Sequence, residues 1–214
     1  MVHRARTDNR GLLLERGTTL RKGRRYVDEA LPGILAGGSS KLSGAVLVLL
    51  AELKQELEQL AEKIDRADKS IEKFARGNES CRRLVAMPGV GPVTATAIIA
   101  TIGNGATFRK GRDFAAWLGV VPEEHSTGGK QTLWKIPQRG NQYLRRLFVQ
   151  GARAVMQHRT KQSSGLSAWL AQLTARTHQN IAIVALANKL ARIAWAVLAK
   201  NEVYKPPILA DNTI

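Results

Sequence analysis

A serine lies in a glycine-flanked loop at residues 125–130 (HSTGGK), with a lysine four residues after it. The Ser126 hydroxyl could act as a nucleophile in phosphoryl transfer, provided that a base or a metal ion activates it. Serine, threonine and glycine are also ordinary turn-forming residues, and His125 by itself is weak evidence for a base. The spacing alone therefore leaves a catalytic and a purely structural interpretation of Ser126 open.

A proline–glycine turn at residues 88–92 (PGVGP) is the second chemically suggestive feature. Gly89 and Gly91 permit backbone angles that a side chain would forbid, and Pro92 suits the first turn of a following helix. The N-terminus of such a helix offers unpaired N–H donors and partial positive charge to an anion. The turn is predicted to hold a nucleic-acid backbone without reading its bases.

Basic residues are concentrated in the same part of the chain. Residues 81–200 hold 17 Lys or Arg and three acids, whereas residues 1–80 hold 15 basic and 12 acidic residues. A solvated basic face remains an alternative, but such a face usually mixes both signs. The imbalance favours nucleic acid over an anionic membrane as the partner. The residues predicted to bind its backbone are Gly89, Gly91, Arg109, Lys110, Arg112, Lys130, Lys135, Arg139, Arg145 and Arg146. Trp134 could stack on a base or pack in the core.

Carboxylates are scarce where the candidate chemistry lies. Phosphoryl transfer by two metal ions needs several Asp or Glu side chains that converge on one point. Residues 81–200 offer only Asp113, Glu123 and Glu124. The single cysteine, Cys81, excludes an internal disulfide and most zinc sites. The chain is predicted to bind no metal ion of its own.

Residues 46–74 carry the clearest periodicity in the chain, a heptad seam of about four repeats. The seam consists of Val46, Leu50, Leu53, Leu57, Leu60, Ile64, Ala67, Ile71 and Phe74. It could pair with a second copy, or it could pack against residues 11–35 and the later helices of the same chain. Its narrow width favours a homo-oligomer held by a coiled coil, and the helix should end near residues 77–78.

The remaining patterns predict an all-α fold. A basic lead and a short helical linker occupy residues 1–40, with breaks at Gly17 and Pro32. A coiled coil follows over residues 41–80, then a compact helical domain over 81–204 that contains a helix-hairpin-helix turn. A disordered tail closes the chain over 205–214.

The most apolar helix is predicted at residues 181–200, and polar residues interrupt it at Asn188, Lys189 and Arg192. These interruptions favour a core helix over a membrane span, which needs roughly 20 apolar residues. The polar start of the chain lacks the apolar core of a signal peptide. The pattern predicts a cytoplasmic protein without a membrane partner.

Four sequence blocks occur in one order: VAMPGVGPVTAT at residues 85–96, FAAWLGVVP at 114–122, HSTGGK at 125–130, and PQRGNQYLRRLFVQGARA at 137–154. Together they resemble the C-terminal domain of insertion-sequence transposases of the "one-ten" group, eleven-eleven branch. Residues 11–80 resemble the linking helix and coiled coil of that family more loosely. Four linked blocks are far more specific than the proline–glycine turn alone.

The resemblance implies a serine transposase in which Ser126 is the nucleophile and DNA is the substrate. It also implies that a structured guide RNA selects the DNA in relatives. Family members carry an N-terminal, resolvase-like domain whose four carboxylates bind magnesium, and the resemblance implies that this chain begins where that domain would end. Cleavage by this chain alone is therefore not expected.

Two other functions remain open on the sequence. The chain could be a non-catalytic fragment that binds nucleic acid and regulates or poisons intact transposase, or it could be an inactive relic. A helix-hairpin-helix repair scaffold is a third interpretation. The HSTGGK and PQRGNQYLRR blocks argue against it, because a repair scaffold needs neither.

Overall fold

The structure is a computed structural model of the whole 214-residue chain. It describes residues 11, 13–15, 17–21, 24–38, 42–125, 127–128, 134–137, 139–158 and 165–206. The described residues form helices and connecting turns and no strand, which confirms the all-α prediction. The chain divides into two compact units, residues 1–69 and residues 70–214.

In the first unit, helix α1 (Arg24–Gly33) continues into a π-helical turn (Ile34–Gly38). Gly17 breaks the preceding helical residues, with a φ of 76°, as predicted. The predicted break at Pro32 is wrong, because the helix runs through this residue. Proline removes one N–H donor from a helix, and the wider π turn that follows is a known way to absorb such a local defect.

Helix α2 (Gly44–Gly77) is continuous over 34 residues and ends where the sequence predicts. The start of its heptad seam is covered within the first unit, where Leu50 is buried with Leu13, Val27, Leu31 and Ile34. The first part of the seam therefore packs against its own chain. This is the alternative to pairing with a second copy.

The rest of the seam is more open. Ile64 is 48% exposed and Phe74 is 53% exposed, and Ala67 is exposed as well. Leu57, in the middle of the seam, is buried. The apolar stripe thus changes along one helix from a buried to an exposed surface.

The second unit contains helices α3 (Glu79–Val85), α4 (Pro92–Ile102), α5 (Gly111–Leu118), α6 (Gln142–Gln157), α7 (Gly165–Arg176) and α8 (Gln179–Ala199). Asn78 caps α3, because its Oδ1 accepts the Cys81 N–H at 3.0 Å. Asn141 caps α6 in the same way through the Leu144 N–H, at 2.9 Å. Each side-chain cap satisfies one backbone donor that the first turn of a helix leaves unpaired.

Helix α8 is the centre of this unit, and it packs against α3, α5, α6 and α7. Its buried residues include Leu186, Leu190 and Ala194, and Phe114 and Phe148 of the neighbouring helices belong to the same core. By length and composition α8 could cross a membrane, yet half of its most apolar window is buried inside the protein. This burial agrees with the prediction of a core helix.

The proline–glycine turn connects α3 to α4 and packs tightly on α6. Gly89 has a φ of 76°, and a Cβ added there would lie 2.7 Å from the Gly151 carbonyl oxygen. A Cβ added at Gly151 would lie 2.1 Å from the Gly89 carbonyl oxygen. Two glycines that are far apart in sequence therefore allow direct contact between the backbones of the turn and the helix.

Candidate functional site

The segment that holds the candidate nucleophile is closed by backbone pairing at its two ends. The Glu123 N–H donates to the Lys135 carbonyl at 3.2 Å, and the Trp134 N–H donates to the Glu123 carbonyl at 2.7 Å. We call residues 123–135 the serine loop. Ser126 and Lys130 lie outside the described residues, so their predicted roles stay predictions, while the ends of the loop that carries them are fixed.

Arg145 of α6 holds the chain just after the serine loop. Its Nη1 donates to the Pro137 carbonyl and to the Arg139 carbonyl, both at 2.8 Å. A guanidinium suits this task because its rigid fork presents several donors at once. The predicted phosphate contact of Arg145 is untested. The observed bonds give this arginine a positioning role, because its Nη1 is engaged by the protein itself.

Two further glycines bring this connection against α5. A Cβ added at Gly119 would lie 2.4 Å from the Arg139 carbonyl oxygen, and one added at Gly140 would lie 2.2 Å from the Trp117 carbonyl oxygen. Both residues have positive φ, at 72° and 94°. Only glycine satisfies both requirements, left-handed backbone and direct backbone contact. The chain just after the serine loop is therefore fixed to the core by backbone packing as well as by Arg145.

A groove of about 1550 Å³ runs beside the base of the serine loop, between that base and helices α5, α6, α7 and α8. We call it the basic groove. Its lining includes seven cationic side chains: Lys110, Arg112, Lys135, Arg145, Lys189, Arg192 and Lys200. None of the described residues that line it is Asp or Glu. A concave wall with one sign of charge concentrates the field and attracts an anionic ligand.

Lys189 and Trp169 form a half-buried cationic part of the basic groove. The Lys189 Nζ lies 4.3 Å from the centroid of the Trp169 ring, a favourable cation–π geometry. Burial lowers the pKa of the Lys189 amino group, and the neighbouring Arg192 charge lowers it further. A positive charge held among other positive charges is stabilised when an anion binds beside it.

The predicted nucleic-acid-binding residues divide into two sets. Lys110, Arg112, Lys135 and Arg145 line the basic groove. The others that the structure describes lie elsewhere on the second unit, and they are Gly89, Gly91, Arg109, Arg139 and Arg146. The structure therefore brings together part of the predicted set.

At the proline–glycine turn, the two glycines differ. Gly89 is required for packing against α6, as the contact with Gly151 shows. Gly91 is exposed, begins α4 as its N-cap residue, and has open space around its Cβ position. A backbone approach by phosphate stays a prediction for both, and Gly91 has the more accessible position.

The basic groove residues near the end of the chain are not among the predicted binding residues. The sequence predicts Lys189 and Arg192 as polar interruptions of a core helix and assigns no binding role to Lys200 or Trp169. Their positions carried a signal, because residues 189, 192, 196 and 200 follow the spacing of one helical face. A basic stripe along an otherwise apolar helix indicates a surface that faces a polar ligand.

Acidic side chains are scarce around the serine loop, since residues 81–200 contain only Asp113, Glu123 and Glu124. Among the described residues, no three His, Cys, Asp or Glu side chains gather where they could hold a metal ion. Glu123 and Glu124 are exposed neighbours at the base of the serine loop, and Asp113 accepts the Lys110 N–H at 3.1 Å in the first turn of α5.

Comparison with known proteins identifies relatives of this chain. Residues 81–168 match the model of the "Transposase IS116/IS110/IS902 family". The chain is 43% identical to a "probable family 20 transposase" of Pseudomonas aeruginosa, over 95% of its own length and 62% of the relative.

Two further relatives agree. The chain is 39% identical to the transposase for insertion sequence element IS1111A of Coxiella burnetii, over 92% of its own length and 54% of the relative. It is 41% identical to the transposase for insertion sequence element IS1328 of Yersinia enterocolitica, over 73% of its own length and 47% of the relative. The chain thus spans about half to three-fifths of the length of these relatives. Residues 81–168 match this family, and nearly the whole chain is similar to transposases of the IS110/IS116 type.

Proposed function

We propose that residues 81–204 bind DNA and supply Ser126 as the nucleophile for strand cleavage and transfer by a transposase. The observation that carries this proposal is that Trp134 and Lys135 belong both to the base of the serine loop and to the lining of the basic groove. A DNA backbone held by the groove would therefore pass close to the loop that carries Ser126.

The proposed reaction is a transesterification. The Ser126 Oγ attacks the phosphorus of a phosphodiester, a P–Oγ bond forms, and one P–O bond to deoxyribose breaks. The serine proton passes to a base, and the leaving deoxyribose oxygen takes up a proton as a hydroxyl. A strand hydroxyl then attacks the phosphoserine and restores Ser126, so that the strand is transferred without a net loss of phosphodiester bonds.

In the part of the chain that the structure describes, no three His, Cys, Asp or Glu side chains lie together as a metal ion would require. We propose that magnesium belongs to the carboxylate-bearing domain implied by the family resemblance. This chain would then stabilise the negative charge that develops on the phosphate through its cationic side chains. Such side chains act best where they are preorganised. A cytoplasmic location and a structured guide RNA as a second ligand complete the proposal.

Neutralising two groove cations tests DNA binding. Lys110→Ala with Arg112→Ala should weaken binding to different duplex sequences about equally, because phosphate contacts carry no base information. The slope of log K against log salt should fall by roughly one unit for each lost phosphate contact. A filter-binding or fluorescence-anisotropy titration at several salt concentrations measures both effects.

Arg153→Ala is the matched control for this pair. Arg153 is an exposed arginine of α6 that does not line the basic groove. It should leave the salt slope unchanged. An equal change in the control and in the double variant would place the DNA on another surface.

We propose further that two chains associate through the exposed part of the heptad seam. Ile64 and Phe74 remain uncovered in one chain, whereas Leu50 is already buried by it. Pairing of two such stripes would remove apolar surface from water, at about 25 cal/mol per Å². Association would let domains of different chains share one site.

Ile64→Lys with Phe74→Lys should convert a dimer or higher oligomer into a monomer at micromolar concentration, because both lysines would enter the paired seam. Gln55→Lys with Gln59→Lys is the control, since it adds the same charge at exposed positions outside the seam. Sedimentation equilibrium measures the masses. Wild-type protein that is already monomeric, or a control that also dissociates, would contradict the proposed pairing.

A second candidate function is non-catalytic, in which the chain binds nucleic acid and regulates an active transposase. The scarcity of carboxylates in residues 81–200 favours it. The chain would then bind DNA through the same groove but would carry no reactive serine. The two functions differ in whether Ser126 forms a bond to DNA.

A further inference from the structure

The walls of the basic groove are apolar as well as cationic. Trp134 is 62% exposed and Ile181 is 59% exposed, and both line the groove. Large apolar side chains that remain this exposed in a concave surface commonly mark a binding site. A ligand that fits this groove therefore needs flat or apolar faces in addition to negative charge.

Single-stranded and duplex DNA differ in this respect. A duplex presents phosphates and sugars on its outside and keeps the faces of its bases stacked inside. An unpaired strand exposes both its phosphates and the π-faces of its bases, which stack on aromatic side chains. An unpaired strand can therefore cover Trp134 while it also contacts the cations.

The cations border the groove on two sides. Lys189 and Arg192 lie on α8 and Lys200 caps its C-terminal end, and the rise of about 1.5 Å per residue places the first and the last about 16 Å apart along the helix. Lys135, next to Trp134, lies at the base of the serine loop. A strand that follows the groove would therefore meet cations along α8 and at the base of the loop.

We propose that the basic groove binds an unpaired DNA strand, with Trp134 as a stacking platform for one base and with Lys189 and Arg192 as phosphate contacts. This inference rests on the proposed function and specifies its substrate as DNA that is locally unpaired beside the serine loop. Lys189 is held in place by its contact with Trp169, so its amino group loses little freedom when a phosphate binds.

The experiment compares one sequence in single-stranded and duplex form at one salt concentration, with the full chain and an oligonucleotide of about 12 nucleotides, a length within the usual range for such grooves. Wild-type protein should bind the single strand more tightly. Trp134→Ala should weaken single-strand binding about 5- to 150-fold, the loss that one base–aromatic stack gives, and should change duplex binding less than about twofold. Trp134→Phe should restore most of the affinity, because its ring can still stack.

Two further variants separate stacking from general damage. Val203→Ala removes another strongly exposed apolar side chain, outside the groove, and should have no effect. Lys189→Gln with Arg192→Gln should lower the salt slope for the single strand by about 0.7 for each lost contact.

Equal affinity for both forms, or a Trp134→Ala variant that binds the single strand as wild-type protein does, would overturn the inference and leave the proposed DNA binding intact. Tighter binding of the corresponding RNA than of the DNA strand would also overturn it, because it would assign the groove to RNA. A chain that binds neither form of DNA would overturn the inference and the proposed function together.

Discussion

Ser126→Ala should abolish DNA strand cleavage, with a loss of at least about 1000-fold, because it removes the proposed nucleophile itself. The assay combines this chain with a full-length family member in which alanine replaces the aligned serine. Under the proposed function, that partner would supply the carboxylate-bearing domain and this chain would supply the serine. Gel electrophoresis of labelled DNA measures the cleavage.

Affinity for DNA distinguishes a chemical role from damage to the fold. Ser126→Ala should bind DNA within about twofold of wild-type protein, since the basic groove is unchanged and a hydroxyl contributes little beside many phosphate contacts. Thr127→Ala is the matched control, because Thr127 is an exposed hydroxyl residue next to Ser126. It should retain most of the cleavage. If Thr127→Ala loses cleavage and Ser126→Ala retains it, Ser126 is not the nucleophile.

The chain by itself should cleave no DNA in the presence of magnesium. Its residues 81–200 contain only three acids, too few to assemble the carboxylate set that such chemistry uses. The protein must be purified free of other nucleases for this test. Cleavage by the chain alone would then show that the chain forms a metal site of its own, which would contradict this prediction.

Gly151→Ala should lower the stability of the second unit by about 3 kcal/mol. In an ordinary helix interior the same change stabilises by up to about 1 kcal/mol. Here the new Cβ would lie 2.1 Å from the Gly89 carbonyl oxygen, so either α6 or the proline–glycine turn must move. Thermal unfolding followed by circular dichroism should show a midpoint about 6–12 °C lower.

Gly77→Ala is the control for this substitution. Gly77 ends α2, and a Cβ added there would meet nothing within 4 Å. The variant should be as stable as wild-type protein or slightly more stable. If Gly151→Ala is also harmless, the close contact between the turn and α6 is not a feature of the folded protein.

The sequence predicted those features that depend on neighbouring residues. The end of α2 at Gly77 followed from local pattern, because heptad spacing and helix stop signals act over one or two turns. The core role of α8 followed from its run of apolar residues. The serine loop, with Trp134 and Lys135 at its base, contains residues 125–130, which the sequence predicts to form a loop.

Features that depend on distant residues were not predictable in this way. The contact of Gly89 with Gly151 joins positions far apart in sequence, and a glycine gives no sign of which backbone approaches it. The first part of the heptad seam packs on Leu13 and Val27, although the same pattern suits a second copy equally well. Lys189 and Arg192 were missed because a helix can be buried on one face and line a groove on another.

The most direct test of the central claim is to identify the residue that becomes joined to DNA. In the two-protein assay, denaturation during the reaction should trap a covalent adduct, and protease digestion followed by mass spectrometry should locate a phosphoester on Ser126 of this chain. The account predicts this adduct in wild-type protein and in Thr127→Ala, and its absence in Ser126→Ala. An adduct on any other residue, or cleavage that proceeds without an adduct, would contradict the account.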